Sequence, residues 1–250
     1  GRLCFTDGHV VGPVRMCQSE YPHPLMGPNP TSFQLYLEQQ DVDDYDRYNH
    51  WGHEGASLRG YKMYWHQPLA KAKAWTRTTV EKAIKGTRRI RPVDIGVTFT
   101  SRIHFNCLSD VELGALLMTL NLDQYSGGNR RTYYKLGMGK SIGFGSIKLE
   151  SKVTLFDGQE RYTNLFAGDT WNTGSITPTN DDFIQSFTQY RDDMLGSRLS
   201  SYKDMLNDLY MMMDWNIANG PSPAKNWNEA TKMMLMTDKR LRYRTKLDMP

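Results

Sequence analysis

Residues 97–120 read VTFTSRIHFNCLSDVELGALLMTL, and this stretch decides the fold. Positions 97–105 alternate apolar with polar side chains, which is the pattern of a strand with one face toward the core. Ser109 and Glu112 then form a capping box, which predicts a helix over 110–120 with its leucines on one face. A strand that leads directly into a helix predicts a mixed α+β fold.

Downstream, residues 135–149 read KLGMGKSIGFGSIKL and contain a glycine-rich loop. Its glycines have the spacing G-x-G-x-x-x-G-x-G and are Gly137, Gly139, Gly143 and Gly145. Glycine reaches positive φ and, because it lacks a Cβ, lets the backbone approach a ligand. Amides in such a loop bind anions, and Lys135 and Lys140 add positive charge, so phosphate is the expected guest. We expect a helix-like run before the loop and a strand over 146–156 after it. A turn without any ligand is the alternative.

Neither common nucleotide motif is complete in this loop. A P-loop requires G-x-x-x-x-G-K-[ST], and Gly139-Lys140-Ser141 supplies its end, but Tyr134 occupies the place of the first glycine. A dinucleotide fingerprint requires a glycine where this chain has Ile142. The phosphates of a nucleic-acid backbone are therefore the favoured ligand.

Length and composition indicate a polar globular protein. The chain has 250 residues, a net charge of +4 and a mean hydropathy of −0.62, enough for one domain or one domain with a helical appendage. No apolar run approaches the roughly 20 residues that cross a bilayer, and no signal-peptide pattern opens the chain. We therefore expect a cytoplasmic protein. The first residues read as a strand and lack Met, so we expect a fragment or a processed product that begins inside a domain.

Charge is distributed unevenly along the chain. Residues 71–91 hold eight Lys and Arg against Glu81 alone and include Trp75, whereas residues 38–54 are acidic. A basic segment with an aromatic side chain is typical of a groove for single-stranded nucleic acid. The aromatic and basic stretch 57–66, SLRGYKMYWH, adds a second such cluster. The RNA contacts predicted from these two segments are Arg59, Lys62, Arg88 and Arg89. Solvated charged faces are the alternative interpretation.

No cofactor is indicated with any strength. The three cysteines lack a C-x-x-C pair and fit a reducing compartment. Cysteine and histidine side chains in the first part of the chain offer a weak zinc site without standard ligand spacing, and they are Cys4, Cys17, His9, His23, His50 and His53.

The remaining segments predict further elements. Residues 31–37 alternate like a strand, and residues 158–180 read as a loop. Helical periodicity then extends over 181–215, with a break near Gly196. Its periodic apolar residues include Phe183, Ile184, Phe187, Tyr190, Met194, Tyr202, Met205, Leu206, Leu209, Tyr210 and Met213. We place the domains at 1–157 and 158–250.

Five segments in the same order carry a family resemblance. They are 1–7 (GRLCFTD), 30–37 (PTSFQLYL), 58–66 (LRGYKMYWH), 105–117 (FNCLSDVELGALL) and 135–146 (KLGMGKSIGFGS). Together they resemble CRISPR-associated proteins of the RAMP superfamily, in particular the type III backbone (Cas-seven-like) subunits and the fused RAMP effectors of type III-E. The resemblance implies a ferredoxin-like, modified RRM-like domain over 1–157, partial at its N-terminus, with a C-terminal helical extension.

The resemblance also implies a function. Such proteins grip a CRISPR guide RNA, pair it with target RNA and assemble with other RAMP domains. Their glycine-rich loop cradles guide-RNA phosphates, which carries over to Lys135, Gly137, Gly139, Lys140, Gly143 and Gly145. Members that cut RNA use an aspartate early in the domain, which we expect upstream of this chain. Asp7 belongs to a different, strand-associated motif, so no catalytic residue carries over.

Two other functions stay open. The first is an RNA endonuclease with its own site, built from the acidic residues or from a general acid–base histidine. The residues considered for it are Asp41, Asp43, Asp44, Asp46, His66 and His104. The second is a docking surface for a partner protein on the C-terminal helices, where Met211-Met212-Met213 occurs, although methionines at helical spacing more often pack in a core.

Overall fold

The computed structural model describes residues 1–19, 21–22, 31, 33, 36–39, 48–60, 62–68, 76–77, 89–127 and 130–220. Several residues singled out above lie outside these ranges, namely His23, Asp41, Asp43, Asp44, Asp46, Trp75 and Arg88. Within the described part of the chain, no helix has the length and apolar character to cross a membrane.

The described residues form six helices and six antiparallel two-stranded sheets, so the predicted mixed α+β class is confirmed. The strands β1–β12 are Leu3–Phe5, His9–Val11, Tyr21–Pro22, Thr76–Arg77, Thr98–Thr100, Ile103–Phe105, Tyr134–Lys135, Ser146–Ile147, Leu155–Phe156, Phe166–Ala167, Thr170–Trp171 and Ser175–Ile176. The helices α1–α6 are Asp110–Leu120, Leu122–Tyr125, Gly158–Thr163, Asp181–Leu195, Leu199–Met213 and Trp215–Asn219.

The chain forms two compact units, each assembled from separated segments. The first unit contains Gly1–Gly12, Thr98–Thr132 and Lys148–Tyr210. The second contains Pro13–Val97, Tyr133–Ile147 and Met211–Pro250. The predicted division into domains at 157/158 stays a prediction.

A two-stranded ribbon in the first unit contains a bulge that preserves its apolar face. In β1–β6, Leu3 lies opposite Phe105, and in β2–β5, Val10 lies opposite Phe99. Between these two pairs, residues 6–8 face only two residues of the other strand. One extra residue reverses which side chains point to a given face. The bulge therefore keeps the apolar side chains of both strand pairs on the same face.

Helices α1 and α4 enclose the core of the first unit. The capping box is confirmed, because the Glu112 N–H donates to Ser109 Oγ at 3.3 Å and the Ser109 N–H donates to Glu112 Oε2 at 2.9 Å. The buried core cluster consists of Leu113, Leu117, Val153 and Ile184. Phe105 of the ribbon packs against this cluster, whereas Phe99, predicted on the same face of the strand, is 51% exposed.

Gly114 sets the close approach of α1 and α4. A Cβ at this position would lie 1.9 Å from the carbonyl oxygen of Phe183 and 2.9 Å from the Cβ of Phe187. Distances this short are excluded by van der Waals repulsion, so glycine is the one residue type that fits without a shift of the helices.

The long C-terminal helical region is broken where the sequence predicts. A 3₁₀ turn, Gly196–Arg198, separates α4 from α5, and Gly196 has a φ of 48°. Tyr210 is buried as expected, but Tyr190 and Met194 are 52% and 63% exposed. The periodic pattern therefore predicts a wider buried face than α4 has, because that helix buries only a narrow stripe of residues against α1.

Three local predictions are wrong. Of residues 31–37, the structure describes 31, 33, 36 and 37, where the Tyr36 and Leu37 amides both donate to the Phe33 carbonyl in a tight turn and not in a strand. The strand predicted over 146–156 exists only at its two ends, as β8 and β9. The expected loop 158–180 contains α3, which Asp157 caps by accepting from the Glu160 N–H at 3.0 Å, and the strands β10–β12. The helix and strands within 158–180 are too short to show a periodic pattern in the sequence.

Candidate functional site

The glycine-rich loop joins the two strands of a short hairpin in the second unit. β7 pairs with β8, and the Leu136 N–H donates to the Gly145 carbonyl at 2.8 Å. A strand rather than a helix-like run therefore precedes the loop, and that prediction is wrong. The physical reason is that glycines at both ends of the loop reverse the chain, so that its two ends hydrogen-bond to each other.

All four predicted glycines adopt positive φ, with values of 84°, 71°, 99° and 72° in chain order. A Cβ on Gly145 would lie 2.0 Å from the Leu136 carbonyl oxygen, and a Cβ on Gly139 would lie 2.8 Å from Phe144 Cδ2. These two glycines are required by the fold of the loop itself. A Cβ on Gly137, in contrast, would meet no atom within 4 Å, so the backbone is open to a ligand there.

Lys135 holds the loop from inside. Its Nζ donates to the carbonyl oxygens of Gly143 and Phe144, both at 3.2 Å, and to Ser146 Oγ at 3.0 Å. Burial lowers the pKa of the Lys135 ammonium to about 8. All three protons of this ammonium have acceptors in the hairpin, so Lys135 supports the shape of the loop.

His66 continues this polar network below the hairpin. The side chain is 1% exposed, with Nε2 3.0 Å from the Tyr133 carbonyl oxygen and Nδ1 2.8 Å from Ser146 Oγ. A carbonyl only accepts, so Nε2 carries the proton and Nδ1 accepts from the Ser146 hydroxyl. Burial, followed by the charge of Lys135, lowers the pKa of His66 to about 4. His66 is therefore neutral near pH 7 and serves as a buried support, not as a catalytic acid.

Two aromatic rings pack beside His66. Tyr133 and Trp215 are stacked with ring centroids 5.0 Å apart, and the Trp215 ring meets the His66 ring edge-on at 5.6 Å. Trp215 opens helix α6, which Asp214 caps by accepting from the Asn216 N–H. These rings shield the buried hydrogen bonds of the network from water, which strengthens them.

The outer side of the site combines positive charge with an aromatic ring. The Nζ atoms of Lys62 and Lys140 lie 5.7 Å and 5.8 Å from the centroid of the Tyr64 ring. Both distances are within the range of a cation–π interaction. Leu136, at the base of the loop, and Met138, within the loop, are 64% and 77% exposed. The structure thus brings together Lys62, Lys140 and the glycine-rich loop, three elements of the predicted site.

Ser141 contributes an unsatisfied hydroxyl to the loop. Its Oγ is buried and has no hydrogen-bond partner among the residues that the structure describes. Buried polar atoms are nearly always paired, with water or ligand where protein partners are missing. Ser141 Oγ therefore lacks a hydrogen bond that a water molecule or a ligand atom would supply.

The other predicted RNA contacts lie in different surroundings. Arg59 follows the bridge between Leu37 and Leu58, and burial lowers the pKa of its guanidinium, while the charge of Glu38 opposes that effect. Arg89 is exposed and lines an open groove of about 720 Å³ together with Met16, Cys17, Gln18, Ser19, Ile90 and Arg91. Arg88 lies outside the described residues.

The zinc interpretation finds no support in the described part of the chain, where no group of three or more His, Cys, Asp or Glu side chains could hold a metal ion. Cys17 Sγ lies 3.7 Å from Asp94 Oδ1, and the His50 and His53 rings are 5.1 Å apart. His104, the other histidine considered for catalysis, is exposed on the ribbon opposite Cys4.

Sequence reasoning missed Ser146, Tyr133 and Trp215 as parts of the site. Ser146 and Tyr133 flank the glycine-rich loop, so pairing the two ends of the loop as a hairpin would have found them. Trp215 is brought in by tertiary contact alone, and no local pattern in the sequence signals it.

Comparison with protein-family models finds no match for this chain, and comparison with curated proteins finds none either.

Proposed function

We propose that this chain is a guide-RNA-binding module of a type III CRISPR ribonucleoprotein that targets RNA in antiviral defence. In this proposal it has a RAMP, ferredoxin-like or RRM-like arrangement, acts in the prokaryotic cytoplasm, and assembles with guide RNA, target RNA and other RAMP domains. The observation that carries the proposal is the placement of two lysines on one tyrosine ring beside a glycine-rich loop.

Phosphate recognition is supported by the different surroundings of the two loop lysines. Lys135 directs its protons to the carbonyls inside the hairpin, which fixes the loop before any ligand arrives. Lys140 lies over the Tyr64 ring with Lys62 and is available for a phosphate. A phosphodiester that approaches Gly137 would meet open backbone and two nearby ammonium groups.

Recognition of RNA bases is supported by Tyr64 and by the exposed residues of the loop. Aromatic side chains stack on unpaired bases with little regard to base identity, and lysines beside them neutralise the backbone. Free phosphate would need no aromatic ring, and a nucleotide, whose base could stack on Tyr64, is disfavoured because neither nucleotide motif is complete in the loop. A single strand uses all of these features at once, so it is the ligand class that fits best.

The alternatives are less well supported. For an endonuclease, His66 is buried with both ring nitrogens engaged in hydrogen bonds, while the acidic residues 41–46 lie outside the described part of the chain, so nothing in the described structure favours that function. For a protein-docking role of the C-terminal helices, the run Met211, Met212 and Met213 is half-buried, and Met194 and Met205 are exposed but isolated in sequence.

The test is the salt dependence of binding to a single-stranded RNA of mixed sequence. We expect Lys62→Ala and Lys140→Ala each to reduce the slope of log K against log salt by about 0.7, because each removes one phosphate contact. Lys203→Ala is the matched control, since Lys203 is an exposed lysine on α5, and it should leave the slope unchanged. Unchanged slopes in both loop-side variants would refute the proposal.

The stacking contribution is tested separately. Tyr64→Ala should weaken RNA binding by about 1–3 kcal/mol, while Tyr64→Phe retains most of it, because the ring and not the hydroxyl makes the contact. Tyr162→Ala is the matched control, because Tyr162 is also a tyrosine with a cation over its ring, that of Arg161 at 5.6 Å. Equal losses in the two alanine variants would mean that Tyr64 has no special role.

Close approach to the backbone is tested at Gly137. Asparagine tolerates positive φ better than other side chains, so Gly137→Asn keeps the turn while it adds a Cβ in the open space. We expect weaker RNA binding with only a small decrease in melting temperature, because asparagine at this positive φ is mildly strained. Intact RNA binding by a folded Gly137→Asn variant would exclude contact at this glycine.

A further inference from the structure

A module in the first unit exposes four aromatic side chains. It spans residues 156–176 and contains α3, the β10–β11 hairpin and β12. Its aromatic residues and their exposed fractions are Phe156 at 60%, Tyr162 at 71%, Phe166 at 62% and Trp171 at 65%. So many exposed rings within one short segment mark an interaction surface, because aromatic side chains are usually at least half-buried.

The backbone of the module is held by its own hydrogen bonds. The Asp157 N–H donates to the Gly174 carbonyl at 2.7 Å, and the Asn172 N–H donates to the Leu165 carbonyl at 2.9 Å. Gly174 has a φ of 65°, and a Cβ there would lie 2.6 Å from the Asp157 carbonyl oxygen. The rings are therefore presented on a preformed scaffold, which reduces the entropic cost of binding.

The charge of the module is opposite to that of the whole chain. Its carboxylates are Asp157, Glu160 and Asp169, and its cation is Arg161, so three negative charges and one positive charge give a net charge of −2. The chain as a whole carries +4. A nucleic-acid backbone is repelled by this surface, and a cationic partner is attracted to it.

The module already contains one example of the contact it favours. The Arg161 Cζ lies 5.6 Å from the centroids of both the Phe156 ring and the Tyr162 ring. The second aromatic pair, Phe166 and Trp171, has ring centroids 4.8 Å apart at an angle of 36° and faces solvent. Among the described residues, no lysine or arginine lies over this second pair.

We infer that the β10–β11 hairpin is a docking site for a basic segment of a partner protein, which places an arginine or lysine side chain against the Trp171 ring. Trp171 offers the best cation–π surface of the common aromatic side chains, and Asp169 in the turn of the same hairpin supplies a carboxylate. The partner is thus defined by its chemistry, an arginine- or lysine-rich peptide in extended or irregular conformation.

The experiment is calorimetric titration of the full chain with a peptide of alternating glycine and arginine. The comparison peptide has citrulline in place of arginine, which keeps shape and hydrogen bonding but removes the charge. We expect the arginine peptide to bind about three- to thirty-fold more tightly. Trp171→Ala and Trp171→Leu should both abolish that preference, because leucine keeps apolar area but has no π-system. Trp171 is exposed, so neither variant should affect folding.

Tyr190→Ala is the matched control, since Tyr190 is an exposed aromatic residue of α4 outside the module. The affinity of this variant for the arginine peptide should equal that of the parent. RNA affinity should be the same in the parent and in Trp171→Ala. Three results would overturn the inference: equal binding of the two peptides, loss of RNA affinity in Trp171→Ala with peptide binding intact, or a Trp171-dependent self-association seen by sedimentation.

Discussion

The two units of the molecule are stabilised at their centres by different interactions. In the first, α1 and α4 bury an apolar cluster that includes Leu113 and Ile184. In the second, a directional chain of hydrogen bonds joins Lys135 to Ser146, Ser146 to His66, and His66 to the Tyr133 carbonyl. Apolar packing is independent of pH but is sensitive to added volume. A polar network fixes the geometry of a loop, but it is vulnerable to protonation and to the loss of any partner.

The largest expected difference between the units is in their response to acid. The pKa of His66 is 6.5 in the unfolded chain and about 4 in the folded one, so protons bind the unfolded state more tightly. Stability contributed by neutral His66 is complete above pH 6.5 and is lost as the pH falls toward 4, which amounts to about 3 kcal/mol. Lys135, with a pKa of about 8, is already fully protonated in this range.

Hydrogen exchange between pH 7 and pH 4.5 measures this effect. Protection of the amides in residues 133–147 should decrease more steeply than protection of α1. His66→Gln should flatten the pH dependence in the second unit, while His104→Gln, which changes an exposed histidine, should leave it as in the parent. Identical pH profiles for the parent and His66→Gln would show that His66 does not control it.

The apolar unit should instead be most sensitive to added volume. Gly114→Ala places a methyl group 1.9 Å from the Phe183 carbonyl oxygen and should reduce the free energy of unfolding by about 2–3 kcal/mol. Alanine usually stabilises a helix relative to glycine, so the sign of this change is diagnostic. Gly52→Ala, where a Cβ meets no atom within 4 Å, is the control and should change stability by less than about 0.5 kcal/mol. Urea denaturation measures the free energy of unfolding. A loss of stability would show that α1 and α4 are in close contact at Gly114, whereas unchanged or higher stability would show that the two helices move apart to accept the methyl group.

Removal of the lysine inside the hairpin should have a somewhat smaller effect. Lys135→Met leaves two carbonyl oxygens and the Ser146 hydroxyl without their donor, but it also removes a partly buried charge. The net loss should be about 2 kcal/mol. Lys148→Met, at an exposed lysine that pairs with Glu150, should cost less than about 0.5 kcal/mol. Equal stabilities of the two variants in thermal unfolding would contradict the supporting role of Lys135.

The smallest expected effect has the opposite sign. Ser141→Ala removes a buried hydroxyl that has no partner in the described structure. It should therefore increase the free energy of unfolding by up to about 1 kcal/mol and raise the melting temperature slightly. If the hydroxyl contacts a phosphate, the same variant should bind RNA less tightly. Ser186→Ala, whose hydroxyl donates to the Asp182 carbonyl at 3.0 Å, is the control and should not gain stability. A clear destabilisation by Ser141→Ala would mean that the hydroxyl is satisfied.

These contrasts also explain what sequence reasoning could and could not predict. Helix α1 was predictable because its capping box and its leucines lie within a few residues of each other. The break at Gly196 was also predictable, because its signal lies in neighbouring residues of the chain. The glycine-rich loop was recognised, but its setting in a hairpin was not, because strands of two residues show no period. The contact between His66 and Ser146 joins residues distant in the chain, and no local rule reports such a pairing.

The two loop lysines also have roles that local sequence patterns could not predict. Lys135 and Lys140 look equivalent as loop lysines in the sequence, yet one is turned inward to three acceptors and the other lies over the Tyr64 ring. The difference arises from the pairing of residue 135 in β7, which fixes the direction of its side chain. The role of a charged residue in such a loop depends on strand register, which the amino-acid types alone do not specify.

The bulge in the ribbon of the first unit has a consequence for how this chain tolerates insertions and deletions. Residues 6–8 contribute one residue more than the opposite strand, and this extra residue lies in the bulge. Loss of Asp7 alone would leave two residues opposite two, so every pair of the ribbon, including Leu3 with Phe105 and Val10 with Phe99, would be kept in a regular ladder. Loss of two residues would leave one residue opposite two and would move the bulge to the other strand. The ribbon is therefore compatible with the loss of one residue at this point without any change in which side chains share its apolar face.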